Sequence, residues 1–178
     1  MRNLYNGITA ILLLLLTGCG EKDPAYSGTV TLTNELYGTQ VYYSNGLYFK
    51  TGKVISTLSD PEPDLTVEAG LLPGNTGVEV FLSGNTLEPP FSLYGTYGTE
   101  TEAKTAFKAL VSFGSVTYKD FGNPLAPNQI WIMRTRDERY AKIRIISVSL
   151  DTGQEPDFAS CKFEWIYQAD GSKTFPAE

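Results

Sequence analysis

The apolar positions of this chain recur mostly with a period of two. The pattern is clearest near the end, where Cys161, Phe163, Trp165 and Tyr167 alternate with Lys162, Glu164, Ile166 and Gln168. One face is apolar and the other mostly polar, which predicts a strand lying with one face on a core. Asp170-Gly171 follows at once, a pair suited to the positive φ of a tight hairpin turn. Upstream, Ile130 to Leu150 is a second run rich in β-branched and aromatic residues, separated from the last by the turn-rich stretch DTGQEPDFAS. Two such runs around a turn-rich gap predict paired strands. Within the earlier run Ala141, Ile143 and Ile145 share one face, yet Ile146, Val148 and Leu150 continue on the other. Either both faces are covered there, or a bulge shifts the phase near Ile145-Ile146.

The same period, in shorter pieces, predicts strands over Thr29 to Thr33, Gln40 to Tyr43, Lys53 to Leu58 and Gly77 to Ser83. Asn45-Gly46 between VYYS and LYFK reads as a hairpin turn, so the first part reads as an antiparallel meander. Thr99 to Val111 departs from this period and predicts a helix. Thr99 followed by Glu102 forms a capping box. Ala103, Ala106, Phe107 and Leu110 form one apolar stripe suited to docking on a sheet, Glu100 and Lys104 pair four apart, and Gly114 closes the helix. Two connectors rich in Pro, Gly and aromatics, residues 84–98 and 114–129, read as long loops, the first too irregular for a packed strand. No internal repeat or second domain is visible. The expected fold is all-β, mainly antiparallel sheet, with one packed α-helix, in a single domain over residues 28–178.

The first residues break the pattern again. Arg2 precedes a nearly unbroken apolar run from Ile8 to Leu16. That run is shorter than the about 20 helical residues needed to cross a bilayer core, and it fits the apolar part of a secretion signal. Leu16-Thr17-Gly18-Cys19 resembles the lipobox of bacterial lipoproteins, which implies a signal over residues 1–18 and acylation of the Cys19 sulfur. An ordinary cleaved signal with an incidental cysteine is the other reading. Acyl chains would anchor the protein in a membrane. Residues 19–27 read as a polar tether, whose charges also resemble a surface-export signal. With Cys19 lipidated, Cys161 has no disulfide partner and reads as a small buried hydrophobe.

Composition removes several functions. No histidine occurs among the 178 residues, which excludes Ser-His-Asp and Cys-His catalysis, and histidine ligation of zinc or heme. The formal net charge of −6, with no basic cluster, argues against nucleic acid. Two carboxylates can hydrolyse a glycoside, but no Asp or Glu is marked out for it, so the chain reads as a binding protein and not an enzyme. Asp60, Glu62 and Asp64, spaced by prolines, read either as a calcium loop or as a solvated connector; the central Gly and distal Glu of a calcium loop are missing.

The closing residues also resemble a family. Tyr140-Ala141-Lys142-Ile143 and Tyr167-Gln168-x-Asp170-Gly171-Ser172, in this order, are similar to the C-terminal signature of the HmuY-like heme-binding lipoproteins of Bacteroidetes-type bacteria. The motif spans about a quarter of the chain, and Pro63-Asp64-Leu65 stands where that family has a Trp-Asp run, here without the tryptophan. The resemblance implies a lipoprotein of the outer membrane and cell surface. It would capture heme or a related tetrapyrrole for iron acquisition, with a TonB-dependent outer-membrane receptor as a partner. The family's histidine ligands have no counterpart here. Tyr94, Tyr97 and Tyr118 in the long connectors are then the candidate ligand-binding residues, with Phe91 and Phe121 as slot walls and Met133 as the remaining thioether. Half-buried aromatics and a core methionine are the structural readings of the same residues. A glycan or a protein partner on the same scaffold is the alternative to heme.

Overall fold

A computed structural model describes residues 27–37, 43–74 and 76–176. The apolar leader, Cys19, the tether before Ser27 and most of the expected Gln40 to Tyr43 strand lie outside these residues. Among the described residues the strands are β1 (Ser27–Thr33), β2 (Asn45–Tyr48), β3 (Lys53–Ser56), β4 (Leu65–Gly70), β5 (Glu79–Gly84) and β6 (Phe91–Thr96). The helix α1 (Glu100–Ala109) follows, then β7 (Phe121–Gly122), β8 (Gln129–Arg134), β9 (Tyr140–Asp151) and β10 (Phe158–Gln168). They form two antiparallel five-stranded sheets, ordered β1-β10-β9-β8-β6 and β3-β2-β4-β5-β7. The all-β architecture with one packed helix is thus as the sequence predicts. No described helix is long and apolar enough to cross a membrane.

The sheets face one another over an apolar core. Leu47, Leu65, Val67 and Leu82 of the second sheet meet Trp131, Ile143, Phe163 and Trp165 of the first. Phe49 meets Trp165 edge-on at 5.4 Å and stacks on Tyr167 at 5.7 Å. The inward set of β10 is Cys161, Phe163, Trp165 and Tyr167, as its alternation predicts.

Both readings of β9 hold, in successive halves. Lys162 pairs with Ser147 and Phe163 with Ile145, so Ile146 is an extra residue in β9. This bulge shifts the phase, and Val148 packs on the same core as Ala141, Ile143 and Ile145. Before the bulge both faces are covered. Phe107 and Leu110 of α1 lie on Ile130, Ile132, Ile166 and Phe175 on the outer face of the first sheet.

The helix begins as the capping box requires. Thr99 Oγ1 accepts from Glu102 N–H, Glu102 Oε2 accepts from Thr99 N–H, and Lys104 meets Glu100 at 2.7 Å. Its end differs from expectation. The C-cap is Leu110 and not a glycine. The buried ammonium of Lys142, from the middle of β9, donates to the carbonyls of Phe107 (2.6 Å) and Leu110 (3.0 Å). A cation from another element therefore satisfies the last turn.

Four expectations about turns and loops are corrected. Asn45-Gly46 opens β2 instead of turning; a Cβ on Gly46 would lie 2.6 Å from Leu65 O, so glycine is there for close approach. The β2–β3 turn falls at Phe49–Gly52, with Gly52 at φ 65°. The first part is no meander, because β1 pairs with β10 in the other sheet. Residues 84–98 contain β6, an edge strand on β8 whose alternation is broken where Leu93 pairs with Trp131 and Gly95 with Ile130, leaving Tyr94 extra. Asp170-Gly171 does turn, with Gly171 at φ 79°, but the chain then crosses to the helix end, bridging Thr174 to Ser112, and forms no hairpin with β10.

Two substitutions test these contacts. Lys142→Met keeps the apolar stem and strands the helix carbonyls; urea unfolding should show a loss of roughly 1–3 kcal/mol, with hydrogen exchange accelerated first in α1. Gly46→Ala should cost a similar ~1–3 kcal/mol by overpacking, read by the same unfolding measurement.

Candidate ligand cleft

The two sheets are not equally covered. β4 stays paired with β5 over six residues, but β2 pairs with β4 only at Leu47–Leu65. Beyond that point the strands part and leave a cleft of about 850 Å³. Thr66, Glu68 and Ser83 line it from β4 and β5, and Ser44 and Thr57 from the flanks of the β2–β3 hairpin. Asn34 and Leu36 after β1, with Glu155 and Pro156 between β9 and β10, form the far wall. That wall is fixed by Asn34, which donates to Asp157 O and accepts from Ala159 N–H, both at 2.8 Å. An adjoining hollow of about 140 Å³ adds Glu35, Gln154 and Asp157.

The lining mixes apolar and polar surface, and the ionisable side chains among its described residues are all carboxylates. Burial pushes the Glu68 carboxyl up from its usual range, against a hydrogen bond with Thr66. Thr57 Oγ1 is buried with no hydrogen-bond partner. Glu62 accepts from Asn85 Nδ2 and from Arg136 Nη2 at 2.7 Å, and these bonds hold its carboxyl below the usual range. No lysine or arginine is among the described residues that line the cleft. Asp64, two residues on, serves a different purpose, accepting from Phe49 N–H at 2.9 Å. Glu62 and Asp64 thus have separate partners, which fits the connector reading of this segment better than a calcium loop.

The residues singled out in the sequence lie elsewhere. Phe91 and Met133 pair across β6 and β8 and are both fully buried in the core. Tyr118 lies under the Arg134 guanidinium at 5.0 Å, and Tyr97 packs beside the helix. Tyr94 is about half exposed on its bulge. Phe121 meets Phe81 edge-on at 5.0 Å. None of these residues lines the cleft.

Met133 and Tyr118 are poorly placed for an iron where they stand. The Met133 sulfur has no free face, and burial pushes the Tyr118 phenol up to about 12, away from the phenolate that ferric iron would need. Burial also raises the Tyr97 phenol. Cys161 is buried between the sheets, with its thiol pushed up to about 12, as a packing residue should be.

Sequence reasoning did not find Glu68, Thr57 or Ser44. Glu68 alternates with Val67 and Ala69 as any solvated strand residue does, and only the parting of β2 from β4 turns it into a cleft residue. No family model matches the chain, and no curated protein matches it at a significant level.

Asp64 gives the site region a pH dependence. Burial raises its carboxyl from 3.8 to about 6. The folded chain therefore binds a proton more tightly than the unfolded chain, and stability falls as pH rises from about 4 to about 6. Asp64→Asn keeps an acceptor for Phe49 N–H and removes this penalty. Urea unfolding should find the variant more stable at neutral pH, by up to roughly 3 kcal/mol, with the gap closing below about pH 4.

Proposed function

We propose that the chain is a lipid-tethered binding protein of the bacterial cell surface, holding its ligand in the cleft beside β4 without chemical conversion. The lipobox-like Leu16-Thr17-Gly18-Cys19 supports the tether and the outer-membrane location. The cleft carries the binding reading: it has a ligand-sized volume, polar groups along its length, and walls fixed to both sheets. Its chemistry favours a ligand rich in hydroxyl or amine groups over a tetrapyrrole, because its described lining residues include no thioether or phenol for iron, no aromatic ring and no cation for propionates.

The closing motif favours a second reading, heme capture with delivery to a TonB-dependent receptor. That reading needs Tyr94, Tyr97, Tyr118, Phe91 or Met133 to reach a heme after rearrangement around β6.

A paired titration separates them. Purified protein should show no Soret shift with equimolar hemin, oxidised or reduced. It should bind members of a glycan array, and Ser83→Trp, which fills the cleft, should abolish that binding. A stoichiometric Soret shift lost on Tyr118→Phe or Met133→Leu would install heme capture instead.

A further inference from the structure

We infer that the cleft takes an oligosaccharide carrying free amines, with Glu68 receiving an ammonium group and Thr57 Oγ1 a sugar hydroxyl; this rests on the cleft being the binding site. Three features lead to it.

Charge comes first. Glu62, Glu68 and Glu155 line the cleft, and Glu35 and Asp157 line the hollow that continues it, with no cation among the described lining residues of either. The nearby Arg136 is turned onto Glu62 Oε2 and the carbonyl of Asn85 (3.2 Å), and so is committed at one end. Glu68 has no such cation. It is half-buried and hydrogen-bonded to Thr66. A carboxylate in this setting gains a partner when a ligand brings a positive group, and the stabilisation is larger than in open water.

Hydroxyl chemistry comes second. Ser44, Thr57, Thr66 and Ser83 line the cleft, together with Asn34 and Asn85. Thr57 Oγ1 is buried and unpaired, which is costly unless something fills its hydrogen-bonding capacity. A ligand with hydroxyls at regular spacing supplies that partner.

Shape comes third. The apolar part of the lining is Leu36, Pro63, Ala69 and Pro156, small surfaces that suit the C–H faces of a sugar. They form no deep slot for an aromatic or branched peptide side chain. Tyr37, next to Leu36, is half exposed and joined through its N–H to the carbonyl of Tyr43, next to Ser44. Its backbone thus joins the two lining segments at Leu36 and Ser44.

The test is calorimetric titration of the full-length protein with three hexasaccharides: of glucosamine, of N-acetylglucosamine and of galacturonic acid. The medium is acidic enough to keep the glucosamine amines protonated. The glucosamine hexamer should bind at least about tenfold more tightly than the N-acetylated one, and the acidic hexamer should not bind. Glu68→Gln should remove most of that preference. Thr57→Val should weaken binding several-fold while leaving the unfolding midpoint unchanged or raised, because its hydroxyl has no partner to lose. Equal binding of the glucosamine and N-acetylated hexamers, indifference to Glu68→Gln, or no binding of any hexamer overturns the proposed ligand class. If Ser83→Trp still abolishes whatever binding is seen, the cleft stands and only the ligand class falls; if Ser83→Trp changes nothing, the cleft reading falls with it.

Discussion

Lys142 lies fully buried in the middle of β9, with its ammonium between the carbonyls of Phe107 and Leu110 and the ring faces of Phe107 (4.6 Å) and Phe175 (5.5 Å). A ten-residue helix is marginal on its own. Here its apolar stripe and its terminal carbonyls are both satisfied by the same sheet face. The charge is expensive to bury, and that cost is offset only while helix, β9 and the closing residues keep this arrangement. Two residues along, Arg144 makes a bidentate pair with Glu164 at 2.7 and 2.8 Å, and its Nη1 is buried without a partner. The outer face of the first sheet is therefore committed to holding α1. Its contacts there are charge-specific.

That commitment decides where a ligand can sit. β8, β9 before its bulge and the end of β10 are covered on both faces and present little surface. The one described helix does not lie on the second sheet, which is looser. β3 and β2 form a short hairpin that touches β4 at one register position. Gly46 brings that contact close against Pro63 and the Leu65 carbonyl, and the strands separate on the side of Ser44. One sheet thus supplies rigidity and the other supplies the opening. The cleft inherits fixed walls because Asn34 ties its far side to the start of β10.

Much of the first sheet was legible in the sequence, for physical reasons. Its strands are long, and a buried face leaves a period of two that survives local irregularity; even the slip at Ile146 shows as a change of phase. The helix was legible because Thr99 and Glu102 act locally and its stripe repeats over three turns. What failed was whatever depended on a distant partner. The Lys142 cap comes from 32 residues beyond Leu110, and no local signal announces it. Asn45-Gly46 has turn chemistry, yet packing against Pro63 uses the missing Cβ for something else. The β6 strand was hidden because an edge strand needs only one neighbour and its bulge at Tyr94 cancels the alternation. The cleft was invisible for the same reason as Glu68: each lining residue is an ordinary polar strand or loop residue, and only a strand separation collects them.

The motif that suggested a kinship is itself explained by folding. Tyr140 packs edge-on against Phe113 at 5.1 Å, Ala141 and Ile143 face the core, and Lys142 caps the helix. Tyr167 stacks on Phe49 inside the sandwich, and Gln168 Nε2 donates to Thr174 O. Asp170 Oδ1 accepts from Ser172 N–H at 2.7 Å across the turn that needs Gly171. Each residue of the two runs that has a described contact is occupied in joining β9, β10, the helix end and the closing turn. Such a signature would persist in any chain that builds this junction, whatever it carries. The ligand has to be read from the other sheet, where the Thr57 hydroxyl is buried without a partner and the half-buried Glu68 carboxylate has only a neutral hydroxyl, that of Thr66, among its described partners.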